Sequence, residues 1–179
     1  MADALRFLIY GYGNPGRLDD GLGPAAVERI RGWKLPGIAL EANYQLSLED
    51  CELLTRCDVV LFIDASVQDR PPYYLERVLP RPRVHFSSHS LDPAAVVGFA
   101  ADLFDASPDA YLLAIPGYVF NDFGEGLSPR AVAGLEAALD FLRPILEARD
   151  PTRLAAQAIV PARPEPQASP FSLEPQHSK

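Results

Sequence analysis

Apolar residues along this chain fall into short continuous runs, separated by segments in which they recur every three or four positions. The run LRFLIY (5–10) has the length of a strand and stops at a glycine. Beyond a glycine-rich loop, GPAAVERIRGW places Pro24 at a first helical position with apolar residues at helical spacing after it, so a helix is predicted from Pro24. GIALEA (37–42) is a second strand candidate. SLEDCELLTRC (47–57) is expected to be a helix, opened by Ser47 and an acidic first turn. DVVLFIDAS (58–66) is apolar without alternation, the signature of a parallel strand buried on both faces.

The second half repeats the alternation. YYLERVL (73–79) lies between prolines, which suits an edge strand. LDPAAVVGFAADLF (91–104) offers Asp92 as N-cap and Pro93 as the first helical residue. AYLLAIPG (110–117) is a further apolar strand, and SPRAVAGLEAALDFLRPILEA (128–148) is an amphipathic helix capped by Ser128 and Pro129. Pro144 is expected to kink or end it. Strands alternating with helices predict an α/β protein: a mostly parallel, twisted sheet of about five strands with helices on both faces. From about residue 150 the texture changes to Pro, Ala and Gln without a periodic apolar face. The expected organisation is therefore a domain over 1–149 and a disordered or loosely draped tail over 150–179, with a short helix around 154–159 left open.

Composition narrows the class. The chain has 179 residues, 48% of them hydrophobic, enough for one domain with a full core. No apolar run approaches the roughly 18–20 residues that cross a bilayer, and MADALRFLIYG does not read as a signal peptide, so a cytoplasmic protein with no membrane partner is expected. A net charge of −8, without basic stripes, argues against a nucleic-acid partner. Cys51 and Cys57 lie six apart with no C-x-x-C spacing and are read as structural.

The candidate chemistry starts at GYGNPGRLDDGLG (11–23). Its first six letters fit the G-x-G-x-x-G of dinucleotide enzymes, and Glu41 near the end of the second strand could serve as their ribose-binding acid. Pro24 argues against that reading, because a helix begun near Gly13 would carry the proline well inside, at a cost of roughly 3 kcal/mol. Asp19 and Asp20 would also repel a diphosphate unless a metal intervened. They are equally compatible with an ordinary Asp-Gly turn. Asp64 ends the strongest strand, where an open parallel sheet presents its ligand crevice, and it meets the 11–23 loop if the first and third strands are neighbours. A loop-bracing role for Asp64 stays open. His177 lies in the tail, His85 in an extended stretch that suits a structural role, and His89 in a Ser-rich turn better placed to reach the crevice. Two carboxylates and one imidazole form a hard-to-borderline ligand set suited to nickel, zinc or iron.

Four blocks resemble one family. IYGYGNPGRLDDGLGPAAVERI is similar to the N-terminal signature of the [NiFe]-hydrogenase maturation proteases. YQLSLEDCELLTRCDVVLFIDAS resembles their second block, SSHSLDPAAVVGFA their histidine block, and IPGYVFNDFGEGLSPRAV their Gly-Glu-x-Leu-Ser block. The blocks are in order and span about residues 5–147. The resemblance implies a three-layer α/β/α domain, cytoplasmic and monomeric, with Asp20, Asp64 and His89 as the metal-contacting positions and Asp19 as a supporting neighbour. It implies an endopeptidase that trims the C-terminal extension of a hydrogenase large-subunit precursor, with Asp20 and Asp64 as the catalytic carboxylates. The nickel is then expected to come with the substrate. Two other readings remain at this point: a non-catalytic nickel chaperone using the same three ligands, and a dinucleotide-binding oxidoreductase.

Overall fold

The computed structural model describes residues 5–81 and 91–161. In chain order the elements are β1 (Phe7–Tyr12), α1 (Leu22–Arg31), β2 (Ile38–Asn43), α2 (Asp50–Leu53), β3 (Val59–Ser66), β4 (Tyr74–Arg77), α3 (Pro93–Phe104), β5 (Asp109–Pro116), α4 (Pro129–Ala148) and α5 (Thr152–Gln157). The strands form one sheet in the order β2-β1-β3-β5-β4. Every neighbouring pair is parallel except β4 with β5, which is antiparallel and leaves β4 at the edge. The expected neighbourhood of first and third strands is therefore observed.

Period-two alternation along buried strands sorts the core onto two faces. Phe7, Ile9, Leu61, Ile63, Leu113 and Ile115 pack against α1 and α4 on one face. Leu8, Tyr10, Val60 and Phe62 pack on the other with Cys51 of α2 and Val96, Val97 and Ala100 of α3. The result is the three-layer α/β/α arrangement. Two helices start as their caps predict: the Asp92 carboxylate accepts from Ala95 N at 2.8 Å, and Ser128 Oγ accepts from Ala131 N at 3.3 Å.

Four local expectations change. α1 begins at Leu22 rather than Pro24, because a 3-10 turn over Leu18–Gly21 runs straight into it. Pro24 still lies in the first turn, where backbone N–H groups have no intrahelical partner to lose. The helix expected over 47–57 is only α2 and a following 3-10 turn, Leu54–Arg56; the Asp50 carboxylate accepts from Ser47 N at 2.7 Å and from its hydroxyl at 3.1 Å, closing the entry turn. α4 is not ended by Pro144, which sits on its exposed side, where water can serve the freed carbonyl while Ile145 and Leu146 remain buried. Finally, the segment after residue 149 is not loosely draped throughout. Leu154 of α5 is fully buried, Ile159 N donates to Leu75 O, and Arg77 N donates to Ile159 O, both at 2.9 Å. These bonds occupy the outer edge of β4, a row of backbone groups that would otherwise lack partners.

Candidate active site

Where strand order reverses between β1 and β3, their carboxyl ends open a crevice. The parallel register sets Gly11 beside Ile63, so the loop leaving β1 passes next to Asp64, one residue further along β3. Asp64 is partly buried and its Oδ1 accepts from Ala65 N at 2.8 Å. Burial pushes its carboxyl up to about 6; hydrogen bonds from Tyr12 and Ala65 oppose the rise, and the negative charge of Asp20 adds to it. Asp20 therefore lies close enough to Asp64 for its charge to be felt there.

Asp20 stands on the 3-10 turn, with Asn14 N donating to its Oδ2 at 3.0 Å. Glycine shapes this turn in two places. Gly13 has φ +133°, and a Cβ there would run into the Asp20 carbonyl. Gly23, in the first turn of α1, lets the helix press against β1 and β3; a Cβ there would strike the Tyr12 and Ile63 carbonyls. These glycines serve the approach of backbone to backbone. α1 starts beyond Gly11, Gly13 and Gly16, so no helix N-terminus lies inside the glycine motif to receive a pyrophosphate, and the dinucleotide reading loses its structural basis.

Asp19 points the other way and is fully buried. Its Oδ2 accepts from Tyr118 N (2.8 Å), Val119 N (3.0 Å) and Ser128 Oγ (2.7 Å), and its Oδ1 from Ser128 N (2.7 Å). Burial alone would raise its pKa, but the donors from Ser128, Tyr118 and Val119 outweigh burial and hold it below the usual carboxylate value. Sequence reading ranked Asp19 only as a neighbour and missed Tyr12, Asn14 and Ser128 as parts of the site. Asn14 belongs to the GYGN block, but nothing local in the sequence links Asp19 to Ser128.

His89 and His85 lie outside the described residues. Among the described residues no group of three His, Cys, Asp or Glu side chains could hold a metal ion. The described share of the predicted ligand set is Asp20 and Asp64. Cys51 and Cys57 are buried and free of disulfide, with their thiols pushed up by burial to about 11 and about 12. They donate to Val96 O and Leu54 O at 3.4 and 3.6 Å, as structural cysteines do. Among the described residues no helix is long and apolar enough to cross a membrane.

No family model matches the chain, and no curated protein matches it significantly. Solved structures do. A [NiFe] hydrogenase maturation protease, HycI, from Thermococcus kodakarensis KOD1 aligns with TM-score 0.66 at 20% identity, over 82% of this chain and 95% of that one. The hydrogenase maturating endopeptidase HybD from E. coli aligns with TM-score 0.57 at 18% identity, over 80% and 94%. A hydrogenase 2 maturation peptidase from Thaumarchaeota archaeon SCGC_AB-539-E09 aligns with TM-score 0.58 at 19% identity, over 79% and 99%. The fold of this chain, a five-stranded, mostly parallel α/β/α domain, is that of the [NiFe]-hydrogenase maturation proteases.

Proposed function

We propose that this chain is an endopeptidase that removes the C-terminal extension of a nickel-loaded [NiFe]-hydrogenase large-subunit precursor. The observation that carries the reading is the pairing of Asp20 and Asp64 over the β1/β3 crevice, in a fold shared with hydrogenase maturation endopeptidases. The four sequence blocks in register support it, and His89 is the third ligand that the resemblance assigns. The chemistry follows from the groups present. Both thiols are buried with raised pKa values, so neither cysteine serves as the nucleophile, and water is the attacking group in this reading. In this reading Asp64, at the end of β3 beside the Asp20 turn, takes a proton from the attacking water as the C–O bond forms and passes it to the amine nitrogen as the C–N bond breaks. Asp20 keeps an oxygen for the substrate's metal, whose charge stabilises the developing oxyanion. The resemblance further assigns it to the cytoplasm and to a monomeric state.

The test is to mix purified protein with matched nickel-loaded and metal-free precursors and follow release of a C-terminal peptide. Cleavage of the loaded precursor alone is expected, with Asp20→Asn and Asp64→Asn each abolishing it while leaving the fold intact. Equal cleavage of both precursors would overturn the role of nickel. Binding of nickel without any cleavage would mark the chain as a chaperone instead.

A further inference from the structure

We infer that Asp19 is a positioning residue: its buried carboxylate fixes Asp20 in the crevice by fastening their shared turn to the loop after β5 and to the start of α4. The inference rests on the reading that Asp20 serves the reaction. A carboxylate offers about four lone-pair sites, and Asp19 receives four donors, from Tyr118 N, Val119 N, Ser128 N and Ser128 Oγ. Three of these donors reach Oδ2 and one Oδ1, and the side chain is fully buried, so it does not face the crevice as its neighbour does. Asp20 remains partly exposed and, among the described residues, accepts a bond from Asn14 N.

An aspartate that merely braces its own turn takes donors one to three residues away. The donors of Asp19 stand 99 to 109 residues away, across the β5 end of the crevice. The backbone on either side follows the same path: Asp19 N donates to Val119 O at 3.2 Å, Leu18 N to Gly124 O at 3.1 Å, and Gly124 N to Gly16 O at 3.0 Å. Leu18 adopts φ +51°, a left-handed conformation uncommon for a leucine, at the residue joining this strap to the acidic pair. The turn is therefore held from outside, and Asp20 inherits its place from that hold.

Asparagine at position 19 offers one acceptor oxygen and turns an amide N–H₂ toward donors, so the strap must shift. A displacement of about 1 Å at a reacting centre costs about a hundredfold in rate, so Asp19→Asn should lower kcat by about 10- to 100-fold with KM changed less than about twofold. The deciding experiment is a double-mutant cycle on the full chain, with Asp19→Asn, Asp20→Glu and the double variant assayed on nickel-loaded precursor and each checked by thermal unfolding. If Asp19 acts through Asp20, the double variant loses markedly less than the product of the single losses. Should Asp19→Asn fail to fold, Ser128→Ala takes its place in the cycle, and Ser128→Thr, which retains the hydroxyl donor, should restore kcat. Losses that multiply, an unchanged kcat, or an effect confined to KM would overturn the inference while leaving the proposed function standing. Wild-type processing by Asp20→Ala would overturn the proposed function, and this inference with it.

Discussion

Replacing Leu154 by alanine tests whether the segment after α4 belongs to the cooperative domain. Leu154 is fully buried on α5 and joins the core cluster that contains α1 and α4. Burying a leucine side chain is worth about 1.5–3 kcal/mol, and Leu→Ala substitutions in cores cost about 2–5 kcal/mol once the residual cavity is included. α5 is a six-residue surface helix, free to settle inward, so the lower part of that range applies, about 2–3 kcal/mol. For a domain of this size, each kcal/mol shifts the melting temperature by about 2–4 °C, giving an expected fall of about 4–12 °C. Denaturant unfolding should show a lower midpoint at unchanged slope. Ala156→Ser, on the exposed side of the same helix, is the control and should stay within about 0.5 kcal/mol of wild type. A loss below about 0.5 kcal/mol for Leu154→Ala would refute the packing of this segment and restore a boundary near residue 149.

Two further outcomes follow from the crevice. Because burial raises Asp64 to about 6, the folded state binds its proton more tightly than the unfolded chain does; stability is therefore lost as pH rises from the unfolded value of about 3.9 toward 6. Asp64→Asn removes this term, so it should unfold at higher denaturant than wild type at pH 7, with the gap closing by pH 4; a gap of equal size at both pH values contradicts the assignment. Gly23→Ala places a methyl against the Tyr12 and Ile63 carbonyls, neither of which is a side chain that can swing away, and should cost at least about 1–3 kcal/mol and lower processing by spreading the crevice; a stable, fully active variant would show that α1 can lift off the sheet freely.

Much of the fold was legible because its signals are local. β1, β3 and β5 are written as uninterrupted apolar runs, and the Asp92 and Ser128 caps announce α3 and α4 within four residues of the bonds they make. The misplaced boundaries mark where tertiary packing outweighs local rules. Pro144 breaks a helix on paper, but Phe141, Leu142, Ile145 and Leu146 are all buried and carry α4 past it. α5 lacks a periodic face because it buries a single leucine, and the pairing of Ile159 depends on an edge strand more than 80 residues earlier. Asp64 could be placed because it ends an apolar strand at the carboxyl edge of a parallel sheet. Tyr12 and Asp19 could not be assigned roles, since their partners are reached only across the fold: Asp64 for the first, Ser128 for the second.

The span between Asp19 and Ser128 also dictates when the site can come into being. Synthesis proceeds at about 5–20 residues per second, and 109 residues separate the two partners. A nascent chain therefore carries Asp19 for roughly 5–20 seconds before the serine that donates to it has even been polymerised. For most of that interval β5, which lies between β3 and the edge strand β4, is also missing or incomplete. Each new molecule passes through synthesis with its crevice unassembled, and Asp19 meets its partner only once the start of the last long helix is in place.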